Sequence, residues 1–168
     1  MKGAIRAEGF ILPTSKDCVM TLHNQEWVSE IEQSIQTGSR ERRVDSLRKV
    51  TNLFLSSADR YNNEQIDVFD NVLCRLAEKI ETRALAELSQ RLAPVNNAPN
   101  EVVQRLARND AIAVAGPVLE MSPRLRRSDL VEIASTKSQA HLLAISGRPT
   151  LESSITDILI QRGEGEVL

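Results

Sequence analysis

Aromatic side chains are scarce, at 3% of the 168 residues, with a single Trp and a single Tyr. An aliphatic core follows, built from Leu, Ile, Val and Ala. That favours packed helices, because strands draw on aromatic and β-branched residues. The same scarcity removes the stacking platforms on which single-stranded nucleic acid is bound. Cysteine occurs twice, as Cys18 and Cys74, far apart and without metal-ligand spacing. Two thiols make no disulfide framework in a chain this long and point to a reducing compartment. No apolar run approaches the ~20 residues that span a bilayer. The charged start, Met1-Lys-Gly-Ala-Ile-Arg6, is followed only by Phe10-Ile-Leu12 before Pro13, too short for a signal-peptide core. The expected location is therefore cytoplasmic, with no membrane partner.

No charge of one sign dominates. Residues 1–94 hold 13 basic and 14 acidic side chains and residues 95–168 hold 8 and 9, for a net charge of −2. Duplex nucleic acid is bound through an excess of Lys and Arg at phosphates, so the balance argues against it, although a local patch stays open. A P-loop, GxGxxG, CxxC and an EF-hand loop are all missing. The single glycines at 38, 116, 147, 163 and 165 read as helix caps and breaks.

What remains is an ordinary globular composition, 41% hydrophobic and 26% charged, in a chain long enough for one domain or two small units sharing a core. Residues 1–22 lack periodicity and read as a loose leader, with Met20 as an alternative initiator. Asn24 opens a helix carrying Trp27, Val28, Ile31 and Ile35, and Gly38 stops it. A second helix spans about 39–58 on the stripe Val44, Leu47, Val50, Phe54 and Leu55, with Asp45 and Lys49 as an i,i+4 pair. Tyr61-Asn62-Asn63 makes the turn. The pattern from Ile66 to Leu92 fits one long helix or two joined near Thr82, ended by Pro94 and Asn96-Asn97-Ala98-Pro99.

Beyond Pro99 the stripes shorten: Val102/Val103/Leu106, Ile112/Val114/Val118/Leu119, Leu130/Ile133/Ala134, Leu142/Leu143/Ile145 and Ile155/Ile158/Leu159. Ser128 and Thr150 are the candidate N-caps. Placing Val103 on Leu130, 27 residues on, superposes Leu106 on Ile133. Placing Leu130 on Ile155, 25 on, superposes Ile133 on Ile158. Pro94, Pro123 and Pro149 fall 29 and 26 apart, each ending an alternate helix. Two short helices per unit at such a period read as an α-solenoid, in which each unit buries its apolar face against the next. The register runs on past Gly163, so the chain is expected to be a piece of a longer array.

Several strings carry a family resemblance: Val114-Ala-Gly-Pro-Val-Leu119, Asp129-Leu-Val-Glu-Ile-Ala134, Gln139-Ala-His-Leu-Leu-Ala-Ile-Ser-Gly-Arg148 and Ile155-Thr-Asp-Ile-Leu159. Together they resemble the alphaproteobacterial family named domain of unknown function 2336. The stretch from Arg42-Arg43 to Glu81, with Val50-Thr-Asn-Leu-Phe54 and Ala58-Asp-Arg60, is similar to it as well. The resemblance covers roughly residues 25–168. It implies HEAT-type helical repeats in a protein usually longer than this one, and no established activity whose catalytic residues could be carried over. The expected architecture is all-α, with an N-terminal helical bundle over 23–93 continuous with HEAT-like repeats over 99–168.

Chemistry-bearing residues are few. His141 lies in a helix with no His or Cys within a turn, and reads as a repeat-interface histidine satisfied by a backbone carbonyl. His23 sits at the edge of the leader. Ser138, three residues before His141, lacks a strained elbow, an oxyanion loop and an orienting acid, and reads as a helix opener. Asp129 and Glu132 share a helix face as a solvated first turn that complements the dipole. Pro117 after Gly116 kinks a helix, or alternatively opens a shorter one. Two basic clusters stand out, Arg40/Arg42/Arg43 and Arg124/Arg126/Arg127. The second falls in an inter-helix loop, where with Arg105 and Arg108 it could receive a phosphate or an acidic partner. Simple solubility is the bland alternative.

No cofactor or metal is expected, and no enzyme activity. The functional expectation is a protein-interaction scaffold or adaptor for an unidentified protein partner. The alternative is a nucleic-acid-associated HEAT-like protein using the arginine clusters. A third idea is homodimerisation through the N-terminal helices, with Trp27 at the interface.

Overall fold

The computed structural model describes residues 29, 31, 33 and 37–164. The expected leader, the helix start at Asn24, Cys18, Met20, His23, Trp27 and residues 165–168 lie outside them. Among the described residues all regular structure is helical. The α-helices are α1 (Arg40–Ser56), α2 (Asn63–Ala77), α3 (Thr82–Leu92), α4 (Asn100–Ala107), α5 (Ile112–Met121), α6 (Arg127–Thr136), α7 (Gln139–Ser146) and α8 (Ser153–Arg162), with a 3₁₀ turn at Ala58–Arg60. Ser29, Ile31, Gln33 and Thr37 are also helical, and Ile31 is buried. No helix among the described residues is long and apolar enough to cross a membrane.

Local chemistry explains most of the boundaries. Ser39 caps α1, its hydroxyl accepting from Arg42 N–H. Asn62 and Gln65 form a reciprocal capping box at 2.9 and 3.0 Å, so Asn63 is the first helical residue and not part of the turn. The pattern over 66–92 resolves into two helices, α2 and α3, parted at 78–81. Pro94, Pro123 and Pro149 stand two or three residues beyond α3, α5 and α7, as the proline register requires. α5 runs through Pro117, which removes the reading of Pro117 as the start of a shorter helix. Ala113, whose carbonyl the proline leaves without its helical donor, is exposed to water.

Two caps differ from the sequence reading. The N-cap of α6 is Arg126, not Ser128, because the Asp129 carboxylate accepts from Arg126 N–H at 3.1 Å and so closes the helix two residues earlier. That of α8 is Glu152, two residues past Thr150. α4 is capped from another helix altogether. Both oxygens of Asp70 on α2 accept from its first turn, at Glu101 N–H and Val102 N–H, each at 2.8 Å.

Helices two apart in the chain lie side by side. α1, α3, α5 and α7 follow one another in one row; in the other, α2 packs on α4 and α6 on α8. A single apolar cluster runs from Ile31 to Leu159 between the rows. Three of the chain's few aromatics, Phe54, Tyr61 and Phe69, gather at the α1–α2 end with ring centroids 5.0–5.9 Å apart. The remaining core is aliphatic, and Ile133, Leu142 and Ile145 are all at 0% exposure. Burying each such side chain is worth about 1.5–3 kcal/mol.

The internal alignment holds from α4 to α6 at 27 residues, with Val103, Leu106, Leu130 and Ile133 all buried. From α6 to α8 it needs one more residue than expected. The helices start 26 apart, and the buried counterpart of Ile133 is Leu159, with Ile158 only half-buried. Adjacent apolar residues leave the register ambiguous by one. Ile112 and Leu143, expected in the buried stripes, stand 38% and 41% exposed.

Candidate interaction surface

The five arginines singled out in the sequence lie along the row of α4, α6 and α8, and each has its own surroundings. Arg105 on α4 turns back towards α2, bonding the Cys74 carbonyl at 3.3 Å and Glu78 at 3.2 Å. Arg108 reaches forward to α6, meeting Asp129 at 2.8 Å and Glu132 at 2.7 Å. That hydrogen bond from Arg108 holds the Glu132 carboxyl below its ordinary range, and Arg108 is raised in turn. Arg127 bonds Ser154 within α8 at 3.0 Å and Glu152 just ahead of it at 3.2 Å. Arg126 is exposed and makes no ion pair among the described residues. Arg124 is half-buried, and its Nε has no partner. Asp129, read as part of a solvated turn, is 6% exposed. It serves as a junction between Arg108 and the α6 backbone.

Sequence reasoning missed a second use of arginine. Arg148, just past α7, donates to the carbonyls of Leu119 at 2.6 Å and Ser122 at 2.9 Å, at the end of α5. Arg162 on α8 donates to the carbonyls of Ala134 and Lys137, at the end of α6. Each guanidinium satisfies last-turn carbonyls that have no helical donor and sets a cation at the negative end of a dipole. Burial pushes the Arg148 pKa down, which marks the cost of desolvating it. The clue was a spacing: donor and acceptor lie 29 and 28 residues apart, close to the proline period.

His141 is 1% exposed. Its Nε2 donates to the Asn109 carbonyl at 2.9 Å and its Nδ1 accepts from the Ser138 hydroxyl at 2.8 Å, which makes it the interface histidine the sequence suggests. Both ring nitrogens are thereby engaged, and the pair ties the start of α7 to the loop before α5. Ser138 is the N-cap residue of α7, as expected, although its hydroxyl turns to the imidazole. Lys137 and Asp110 add an ion pair at 2.5 Å at the same end. Cys74 on α2 is half-buried beside Asp70, and burial pushes its thiol up to about 11. Among the described residues no three His, Cys, Asp or Glu side chains could hold a metal ion.

α5 and α7 lie in parallel, since Asn109 and His141 meet at their starts and Leu119 and Arg148 at their ends. Their eighteen residues include one Asp, Glu, Lys or Arg, namely Glu120. Their outer sides present Ile112, Ala113, Met121, Ala140 and Leu143 to solvent. Glu120 lies over Gly147, where an added Cβ would come within 3.3 Å of its Cγ. Elsewhere, a cleft of about 470 Å³ opens beside α1, with Ile31, Val50 and Leu53 among its lining and Arg42, Asp45 and Lys49 at its polar side.

Residues 114–168 match the model of a bacterial family described as an uncharacterised protein conserved in bacteria, DUF2336. That stretch begins inside α5 and takes in α6, α7 and α8, so it covers Glu120, His141 and both carbonyl-binding arginines. No curated protein and no solved structure matches the chain.

Proposed function

We propose that this chain is a HEAT-type helical repeat array of an alphaproteobacterial family that serves as a protein-binding scaffold or adaptor. One observation carries the reading: helices two apart repeatedly stack in the same sense, held by side chains that reach about one period along the chain. Arg105 reaching from α4 to α2, Arg127 from α6 to α8, Arg148 from the end of α7 to α5 and Arg162 from α8 to α6 are its instances. Such an array supports a broad face with few internal constraints on its outer residues, which suits recognition of another protein. The exposed apolar side of α5 and α7 adds to it, because contiguous apolar surface marks contact sites.

The arginines speak less for an anionic polymer. Of the five arginines singled out in the sequence, Arg105, Arg108 and Arg127 each already face a carboxylate, which leaves Arg124 and Arg126 for a phosphate. Affinity capture with the full chain from its native lysate tests the proposal, run beside an Ala140→Glu variant. A discrete protein that the variant fails to retain supports the reading. Nothing above background counts against it, and salt-sensitive binding of duplex DNA would put the nucleic-acid alternative in its place.

A further inference from the structure

We propose that Arg124 and Arg148, which both anchor on Ser122 at the end of α5, hold a phosphoryl group with their guanidinium groups. The inference goes beyond the scaffold reading and does not rest on it.

A cation withdrawn from water is ordinarily matched by an anion. In this chain the matched arginines are the wetter ones. Arg40, Arg48, Arg105, Arg108 and Arg127 each meet a carboxylate, with side chains 32–69% exposed. Arg148 and Arg124 reverse the pattern. Arg148 is half-buried, burial pushes its pKa down, and no carboxylate among the described residues offsets that cost. Its bonds go to neutral acceptors, the carbonyls of Leu119 and Ser122. Arg124 is also half-buried, with its Nε shut off from solvent and unbonded. An anion is what both lack.

Ser122 sets these two arginines apart from the rest. It is 0% exposed. Its hydroxyl accepts from the Arg124 N–H at 3.2 Å, and its carbonyl accepts from Arg148 Nη2 at 2.9 Å. One buried residue thus fixes the Arg124 backbone and the Arg148 guanidinium next to each other. Beyond its two carbonyl bonds, the Arg148 guanidinium has further N–H donors to offer. Planar guanidinium forks match phosphoryl oxygens bidentately, and two cations suit a group that carries close to two negative charges. A single carboxylate would need only one. Arg126, exposed and without an ion pair among the described residues, adds positive field from two positions further on. Glu120 lies over Gly147, beside Arg148 in the chain, and pairs with neither arginine. Its charge opposes an incoming anion and makes it the natural competitor.

The test is a titration of the full chain with inorganic phosphate at fixed ionic strength, followed by NMR at the arginine Nε–H signals. Those of Arg124 and Arg148 are expected to shift and saturate with phosphate and to stay in place with chloride. Arg124→Gln keeps most of the aliphatic stem and should raise the half-saturating concentration about tenfold, through loss of one charge-assisted contact. Arg126→Gln, at an exposed position, should raise it only about twofold. Glu120→Gln should lower it about twofold and removes no contact, so it decides the matter even if Arg124→Gln loosens the loop. Glycerol phosphate as a second probe separates the sources. Tighter binding than inorganic phosphate assigns the site to an ester, and weaker binding assigns it to the free ion. Absence of a saturable shift overturns the proposal. So do equal losses from Arg124→Gln and Arg126→Gln, the mark of a diffuse positive field. A shift confined to Arg43, whose Nε is likewise unbonded, overturns it too.

Discussion

Over the last five helices, α4 to α8, the two rows solve the same packing problem with different chemistry. In α4, α6 and α8, seven of twenty-eight residues are charged; in α5 and α7, one of eighteen is. The charged row links neighbours side chain to side chain, through Arg108 with Asp129 and Glu132, and Arg127 with Glu152. α5 and α7 are linked through the backbone, as Arg162 also links α8 to the end of α6. Arg148 binds two carbonyls of α5, and His141 binds the carbonyl of Asn109. Backbone-directed links sit at the helix ends and leave the middle of each helix chemically silent. That difference frees the outer side of α5 and α7 from any duty in holding the array together.

The comparison predicts equal cores and unequal links. Ile133→Ala and Leu142→Ala remove side chains at 0% exposure from opposite rows, and each should cost about 2–5 kcal/mol in denaturant unfolding. A markedly smaller loss for Leu142 would mean that α7 is not packed as firmly as α6. Next in size, Arg148→Met strands two carbonyls at a helix end and should cost about 1.5–3 kcal/mol. Arg108→Met, a third exposed, leaves Glu132 to water and buried Asp129 still bonded to Arg126 N–H, and should cost less, about 1 kcal/mol. Equal losses would erase the distinction between the two kinds of link.

Acid should act through the ion-paired carboxyls. Hydrogen bonds from Arg108, Arg48 and Lys137 hold Glu132, Glu87 and Asp110 below their ordinary pKa values. A lowered folded-state pKa contributes stability that is present above the unfolded value and is lost as pH falls through the folded one. Unfolding followed from neutral pH to below about pH 4 should therefore show a loss that Arg108→Met diminishes. An unchanged acid profile in that variant would show that the Glu132 pair adds nothing. The smallest effect belongs to the silent face: Leu143→Gln, measured at a concentration where the chain is monomeric, should shift stability by less than about 0.5 kcal/mol.

Much of the array could be read one-dimensionally. Prolines 94, 123 and 149 mark the ends of α3, α5 and α7, and the 27-residue offset between α4 and α6 is written in Val103, Leu106, Leu130 and Ile133. The carbonyl partner of His141 was legible too, from the lack of any ligand-spaced companion. The cap at Arg126 was less so, because a side chain three residues inside a helix, here Asp129, can cap as well as one at its edge. Arg148 and Arg162 were invisible as links, since an arginine near a helix end looks the same whether it faces water or a distant carbonyl.

What the sequence determined by itself was the run of helices and their breaks. These are local matters, decided within a turn or two by proline, by capping side chains such as Ser39 and the Asn62–Gln65 pair, and by aliphatic periodicity. Only the tertiary structure decided which side of α5 and α7 is buried, which residue caps α4, and where each arginine is satisfied. Periodicity selects a face only when the other face is polar, and in α5 and α7 both are apolar. The partners of Asp70, Arg108, Arg148 and Arg162 lie 21–32 residues away, beyond the reach of any local rule. They meet because the helices between them pack, and that is a property of the whole array.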